Sequence, residues 1–430
     1  MADKVPGTAW RVVFAGMAIN LCLGVLYAWS IWKAKLVDLK KAQAGEIMTG
    51  INAGWPYLTD AQGTVAFFTC GLIFALFMIP GGRIQDKFGP KVGATIGGLF
   101  VALGCFVTGM MKSYAGLVLG FGVLGGIGMG IGYAAPTPAA LKWFGPHKRG
   151  LIAGLVVGGY GGAALYISPL AKYAVDAYGI SGSFYLLGTW FAAVTIIAGQ
   201  LLAWPQPGYV PPPAPVKAGA APAKAVGTAV DWAPSEIPKT WQFYALVFMF
   251  ICSAQAGLIA IANAMPILMK AGRKVEFFVA NAWILASFGG LMNAIGRPGT
   301  GMTSDKLGRA NTFTLNALVL AVICFLLPAI IASENLFLLF LAIGFAFWQY
   351  GGTLALMPAY VADFFGPKNL GMNYGLVFIG WGIAFIIPWF AGFIKDWTGT
   401  WDIAFYVSGV LLILGVIVSR IAKRPMHITE

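Results

Sequence analysis

Long, continuous apolar runs make up most of the sequence, and short polar segments that hold most of the charged residues separate them. The runs are about 20 residues long, which is the length that an α-helix needs to cross the apolar core of a membrane. The pattern therefore predicts an all-α membrane protein with twelve transmembrane helices, at 12–32, 62–80, 92–111, 115–135, 151–171, 183–204, 243–269, 279–300, 312–332, 336–358, 373–394 and 403–421.

The twelve runs form two sets of six, joined by a segment whose composition is unsuited to a helix. Residues 205–240 hold nine of the 24 prolines, which is typical of a flexible, partly polyproline linker. A similar loop follows the second run of each set, GGRIQDKFGPK at Gly81–Lys91 and GMTSDKLGRA at Gly301–Ala310. The sequence thus predicts two pseudo-symmetric six-helix bundles, at 1–204 and 241–430, on either side of the linker.

Composition excludes several classes of protein. With 59% hydrophobic and 10% charged residues, the chain is far from the roughly 25% charged residues of soluble domains. The net charge of +13 comes from Lys and Arg clusters in the loops, which suits contact with a lipid bilayer and not with nucleic acid. The two histidines, His147 and His427, lie outside the runs, and no nucleotide-binding motif is present. We therefore expect neither an enzyme nor a cofactor or metal site.

The distribution of charge predicts the orientation in the membrane. With both termini inside the cell, 17 Lys and Arg residues lie on the inner side and 10 on the outer side. An excess of positive charge is typical of cytoplasmic loops. We expect a multi-pass protein of the cell membrane with cytoplasmic termini and a cytoplasmic linker.

Arg297 is the most informative single residue, because it is a charge within an apolar run and no Asp or Glu lies within any run. Asn293, Gly290 and Ala286 precede it by 4, 7 and 11 residues, on the same face of the predicted helix. This polar and small stripe favours an arginine that lines a cavity and binds an anion. The alternative is an arginine near a helix end whose long side chain extends to the membrane surface, since only one turn separates it from Gly301.

Other residues in the runs are candidates for the same cavity. A tyrosine hydroxyl can donate a hydrogen bond to an anion while its ring forms an apolar wall, although packing or an interfacial aromatic belt also explains such positions. The tyrosine candidates lie in runs one, four, ten and eleven: Tyr27, Tyr133, Tyr350 and Tyr374. Lys33 and Lys35, at the end of the first run, are interpreted as solvated loop charges rather than as guides for an anion.

The two similar loops resemble the cytoplasmic loop signature of the major facilitator superfamily. The likeness implies the fold of that superfamily, and it implies that charges at these helix ends form contacts in one conformation and release them in another. The alternative is a pair of tight turns with solvated charges. The residues that fill the two motifs are the gating candidates: Gly82, Asp86, Lys87, Gly89, Gly301, Asp305, Lys306, Gly308 and Arg309.

The segments around Arg297, GVLYAWSIW at Gly24–Trp32 and DFFGPKNLGMNYG at Asp363–Gly375 resemble the monocarboxylate and oxalate/formate branch of that superfamily. In this branch an arginine followed by proline in the eighth span binds the substrate carboxylate, and the likeness carries that role to Arg297. The sequence departs from the branch at Asn293, where animal monocarboxylate transporters have an aspartate. It also departs at Trp381, where oxalate exchangers have a second cation.

The missing second cation favours a monoanion, because a buried charge without a partner costs several kcal/mol, of order 3–5. We therefore predict a secondary active transporter of small monocarboxylates such as lactate or pyruvate. Its binding site would open to each side of the membrane in turn, by alternating access. Symport with a proton would make the transported charge zero. The alternatives are an anion exchanger of the oxalate/formate kind and a transporter-like sensor that signals through the linker. The sequence does not indicate whether the transporter has an accessory subunit.

Overall fold

The protein is a bundle of long helices in a computed structural model that describes residues 5–144, 149–211, 231–366 and 369–425. We number the membrane-crossing helices in chain order. They are α1 Gly7–Leu36, α2 Asp60–Phe88, α3 Pro90–Met111, α4 Tyr114–Leu141, α5 149–178, α6 180–201, α7 Trp241–Ala271, α8 Trp283–Leu307, α9 Arg309–Ala332, α10 Leu336–Phe365, α11 Met372–Thr398 and α12 Asp402–Ile421.

The helices agree with the all-α class predicted from the apolar runs. Within the described ranges, ten helices are long and apolar enough to cross a membrane. One of them, the 53-residue helix Arg149–Leu201, is broken at Gly179, where φ is 71° and ψ is −178°, and so supplies both α5 and α6. The 25-residue helix α8, which carries Arg297, adds a further crossing. The described part of the chain is therefore consistent with twelve spans.

The two ends of the bundle have different character. One end, which we call the motif end, carries the α2–α3 and α8–α9 turns, at Gly89 and Gly308. The opposite end, which we call the Lys33 end, carries the last turn of α1 and the first residue of α2, Asp60. Because consecutive helices run in opposite directions, α1, α7 and α11 leave the motif end while α2, α8 and α10 approach it.

Small residues bring several helices into backbone contact. A Cβ on Gly126 or Gly130 of α4 would lie 2.8 Å from the Cys70 carbonyl oxygen or 2.7 Å from the Phe74 carbonyl oxygen of α2. Close approach of this kind lets van der Waals packing hold helices together in lipid. In α5, by contrast, a Cβ on Gly154 or on Gly158 would meet nothing within 4 Å.

The expectation that no carboxylate lies within a span is wrong. Asp60 begins α2 and is 1% exposed. Thr59 and Gln62 form a capping box that starts the helix before the apolar run, so the carboxylate enters the bundle. The interpretation of Lys33 as a solvated loop charge is also wrong, because α1 continues past it and its ammonium lies 2.5 Å from the Asp60 carboxylate. Lys35 is exposed, as expected.

The flanks of the predicted linker each pack on a loop at the motif end. The Trp143 indole N–H donates to the Ala203 carbonyl at 2.8 Å, after α6. The Trp232 backbone N–H donates to the Phe365 carbonyl at 2.9 Å, before α7. The middle of the linker, residues 212–230, lies outside the described residues, as do His147 and His427. The division into two bundles and a linker stays a prediction.

Candidate functional site

Arg297 lies near the middle of α8 and its side chain faces the interior of the bundle. The residue is 4% exposed, so it does not extend to the membrane surface. None of its three guanidinium nitrogens has a hydrogen-bond partner among the described residues. A guanidinium carries five N–H donors in a planar fork that matches a carboxylate. A buried cation with free donors is therefore the centre of the candidate site.

Asn293 lies one turn before Arg297 and shares its orientation. It is completely buried, and neither atom of its amide has a partner within the described residues. Glycines on two other helices make room for this pair. A Cβ on Gly161 of α5 would lie 2.9 Å from Arg297 Nε, and a Cβ on Gly351 of α10 would lie 2.6 Å from Asn293 Oδ1. The stripe predicted on α8 thus faces both halves of the sequence.

Four tyrosines lie in the neighbourhood of the guanidinium. Tyr27, Tyr133 and Tyr350 all lie within electrostatic range of Arg297, and so does Tyr374. The hydroxyls of Tyr27 and Tyr350 are 3.0 Å apart, which joins α1 to α10. Tyr27 comes from a 3₁₀ segment of α1, Gly24–Ala28, rather than from regular helix. The structure therefore brings together all six residues that the sequence nominated for the cavity.

Two aromatic residues of the site were not nominated as ligands. Tyr160 of α5 packs edge-on against both Tyr27 and Tyr133, with ring centroids 5.1 Å apart in each case. The Trp381 indole N–H of α11 donates to the Tyr350 hydroxyl at 2.8 Å. The only feature of the sequence that could have pointed to Tyr160 is its place among the glycines of the fifth run. Gly158, Gly159 and Gly161 adjoin it.

The site is closed on one side and more open on the other. Tyr27, Tyr350 and Trp381 are at most 1% exposed. Tyr133 and Tyr374, which lie nearer the motif end, are only half-buried. Also near the motif end, a Cβ on Gly375 would meet nothing within 4 Å, although the residue itself is buried. These features indicate that the packing around the site is looser towards the motif end.

The gating candidates lie at the motif end, beginning one helical turn after Arg297 at Gly301. Gly89 and Gly308 end α2 and α8 with the same backbone conformation, φ 90° and 83° with ψ 162° and 158°. In the second motif, Arg309 Nη1 lies 2.7 Å from Asp305, and Arg309 Nε lies 3.4 Å from Asp363 of α10.

The first motif makes fewer contacts within the described residues. Asp86 accepts a hydrogen bond from Gln85, and the Lys87 ammonium lies 5.3 Å from the centre of the Phe88 ring. A Cβ on Gly82 or on Gly301 would meet nothing within 4 Å, and Lys306 is exposed. The ion pairs of the second motif join helices within one half, and the switching role of the motifs stays a prediction.

Comparison with known proteins identifies the class of this membrane protein. The family model of the Major Facilitator Superfamily matches residues 12–350 and 280–427. The chain therefore belongs to the Major Facilitator Superfamily. The fold agrees, since a D-xylose–proton symporter superposes with a TM-score of 0.69 over 95% of this chain and 97% of that one, at 12% identity.

Individual relatives are carriers of small molecules. The chain is 30% identical to the oxalate:formate antiporter of Oxalobacter formigenes, over 94% of this chain and 89% of that protein. It is 26% identical to apicoplast pyruvate carrier 1 of Toxoplasma gondii, over 85% and 80%. It is 23% identical to monocarboxylate transporter 12 of Xenopus laevis, over 80% and 78%. The chain is thus a multi-pass secondary transporter of this superfamily and not an enzyme.

Proposed function

We propose that this transporter carries small monocarboxylate anions of the lactate and pyruvate class, with Arg297 binding the carboxylate. The observation that carries the proposal is a guanidinium that is 4% exposed and has no hydrogen-bond partner among the described residues. A carboxylate accepts two parallel hydrogen bonds from such a group. It would also supply the charge that a buried cation needs.

The neighbours of Arg297 suit one carboxylate and a short apolar or hydroxylated chain. Asn293 can donate or accept one further hydrogen bond, and the tyrosine rings offer an apolar wall. By its resemblance to the oxalate/formate branch, the chain has Trp381 where a second cation is expected, and the N–H of Trp381 is already engaged with Tyr350. A second carboxylate would have only neutral partners there. We therefore favour monoanions over dianions.

Symport with a proton is the coupling that we propose. A monoanion that moves against a negative interior potential costs about 2.3 kcal/mol per 100 mV, and an accompanying proton removes this cost. Exchange of one organic anion for another is the second candidate. The 30% identity to an oxalate:formate antiporter supports that alternative.

The role of Arg297 can be tested with purified protein in proteoliposomes. Arg297→Ala should abolish counterflow of labelled lactate or pyruvate, and Arg297→Lys should reduce apparent affinity by roughly 30-fold or more, since a point charge replaces a fork. Arg273→Gln is the matched control, because this arginine lies in the α7–α8 loop with a 70% exposed side chain. Counterflow at the normal rate in Arg297→Ala would contradict the proposal.

The ligand class can be tested by thermal unfolding with a panel of mono- and dicarboxylates, because a ligand that binds the native state raises its stability. We expect shifts from monocarboxylates in the wild type and none in Arg297→Ala. Tyr350→Phe and Asn293→Ala should each weaken affinity by about tenfold, the effect of losing one interaction of about 1.4 kcal/mol. A larger shift from oxalate than from lactate would favour the exchanger.

Coupling can be tested in the same vesicles. We expect uptake to rise with an inward proton gradient and to be accompanied by acidification of the interior. Uptake that ignores the gradient and needs an internal anion would favour exchange, and the absence of any counterflow would favour a sensor.

A further inference from the structure

A cluster of buried charges joins the two halves of the sequence at the Lys33 end. The Lys33 ammonium lies 2.5 Å from Asp60 Oδ1 and donates to Asn263 Oδ1 of α7 at 2.6 Å. Lys395 of α11 forms an ion pair with the other oxygen of Asp60. The side chains of Lys33 and Asp60 are at most 2% exposed, whereas that of Lys395 is 23% exposed.

A second carboxylate completes the contact. The Asp396 carboxylate accepts the backbone N–H groups of Asp60 and Ala61, at 2.7 and 2.8 Å. These groups are unpaired donors of the first turn of α2, where the helix dipole favours negative charge. Asp396 of α11 thus holds the start of α2, and the two halves are attached to each other by charge at this end.

The cluster divides evenly between the halves. Lys33 and Asp60 belong to α1 and α2, while Lys395 and Asp396 belong to α7–α12. If the halves separated at this end, each would keep one cation and one anion. After separation the charges within each half would therefore still balance, although Asp60 would lose one of its two cations.

Asp60 is the member of the cluster whose charge holds both lysines. The charged groups that face it are Lys33 from α1 and Lys395 and Asp396 from α11. Lys270 of α7 lines the same cavity, which has a volume of about 270 Å³ and is open to the solution. A proton on the Asp60 carboxylate would remove the attraction to Lys33 and Lys395 at once and leave them repelling each other.

We propose that Asp60 is a proton-binding site that controls the opening of the Lys33 end. When Lys395 moves away as this end opens, the Asp60 carboxylate binds a proton from the solution there, and the neutral acid no longer draws Lys395 back. When Lys395 returns, the proton goes back to that solution. By linkage, a low pH at this end favours the open state, and opening favours the protonated form of Asp60.

The first test measures opening directly and does not depend on which substrate is carried. Ser30 is fully buried one turn below Lys33, so Ser30→Cys reports access from the Lys33 end. Labelling by a membrane-impermeant thiol reagent should rise as the pH falls through the range between the pKa values of Asp60 in the open and closed states, by up to about tenfold per pH unit for one linked proton. Ala44→Cys, at an exposed position in the loop before α2, corrects for the reactivity of the thiol itself.

Variants identify the group that titrates. In Asp60→Asn the labelling of Ser30→Cys should no longer change with pH. Lys395→Gln should raise labelling at neutral pH, and it serves as the second variant if Asp60→Asn does not fold. Asp176→Asn, an exposed acid at the same end, is the matched control and should keep the wild-type pH response. A wild-type response in Asp60→Asn, or labelling of Lys395→Gln at the wild-type level, would overturn the proposal.

A transport assay separates this proposal from the proposed substrate. Exchange of lactate across vesicles with equal pH on both sides should become faster on acidification in the wild type and not in Asp60→Asn. The proposal rests on the proposed function only through this assay. If labelling responds to pH but lactate does not exchange in any protein, the substrate assignment fails and the proton site stands.

Discussion

At the scale of single residues, burial gives Arg297 its significance. A guanidinium that reached the membrane surface would be solvated and would need no partner. Here the side chain is 4% exposed and its donors have no acceptor within the described residues, so an anion is the natural complement. The sequence predicted the inward orientation from Asn293 and Gly290, because a period of 3.6 residues places them on the same face.

Gly161 offers a test of this geometry from the opposite helix. Gly161→Ala should weaken substrate affinity by about tenfold, because the new Cβ would lie 2.9 Å from Arg297 Nε and the guanidinium must move. Folding should not suffer, since alanine is the better helix former. Gly158→Ala is the matched control, as its Cβ would meet nothing within 4 Å. The measurement is the concentration dependence of counterflow, and equal affinities for the two variants would contradict this geometry.

At the scale of elements, glycines with positive φ decide where helices end. Gly89, Gly308 and Gly366 end α2, α8 and α10 with φ between 81° and 90°, in a region that is essentially restricted to glycine. The sequence motifs contain the first two of these glycines, so the backbone alone explains why they are glycine. Gly89 and Gly308 therefore stop their helices, and the charges beside them remain the candidates for gating.

At Gly179, the need for glycine at a positive φ can be measured as the loss of stability on substitution. Its φ of 71° and ψ of −178° turn the chain between α5 and α6, and a Cβ would lie 2.6 Å from the Ile51 carbonyl oxygen. Gly179→Ala should therefore destabilise the protein by roughly 1–3 kcal/mol or more. Gly154→Ala, in open space within α5, should be neutral or slightly stabilising. Thermal unfolding in detergent compares the two, and equal midpoints would show that the turn is not strained.

At the scale of the whole molecule, the two halves make different contacts at the two ends of the bundle. At the Lys33 end, Lys395 and Asp396 of α11 hold the start of α2. Near the middle, the Tyr27 and Tyr350 hydroxyls join α1 and α10. Towards the motif end, Gly375 faces open space. This arrangement is closed at the Lys33 end, and alternating access requires that the charged contacts there break.

The orientation of the molecule can be tested through its linker. The excess of Lys and Arg in the loops of the motif end predicts that this end, both termini and the linker are cytoplasmic. A cysteine at Ala218, within the predicted linker, should resist impermeant thiol reagents in intact cells and react after the membrane is opened. Ala44→Cys is the comparison at the Lys33 end and should react in intact cells. The reverse pattern would invert the topology.

The sequence by itself determined the helical class, the approximate spans and the face of α8 that carries Arg297, because apolar length and a period of 3.6 residues are local properties. Only the tertiary structure decided which aromatic residues meet Arg297 and how Asp60 is buried. The Tyr27 and Tyr350 hydroxyls are 323 positions apart in the chain, and Asp60 and Lys395 are 335 apart. Such pairs arise when two halves fold against each other, and a buried charge is tolerated only where a distant partner compensates it.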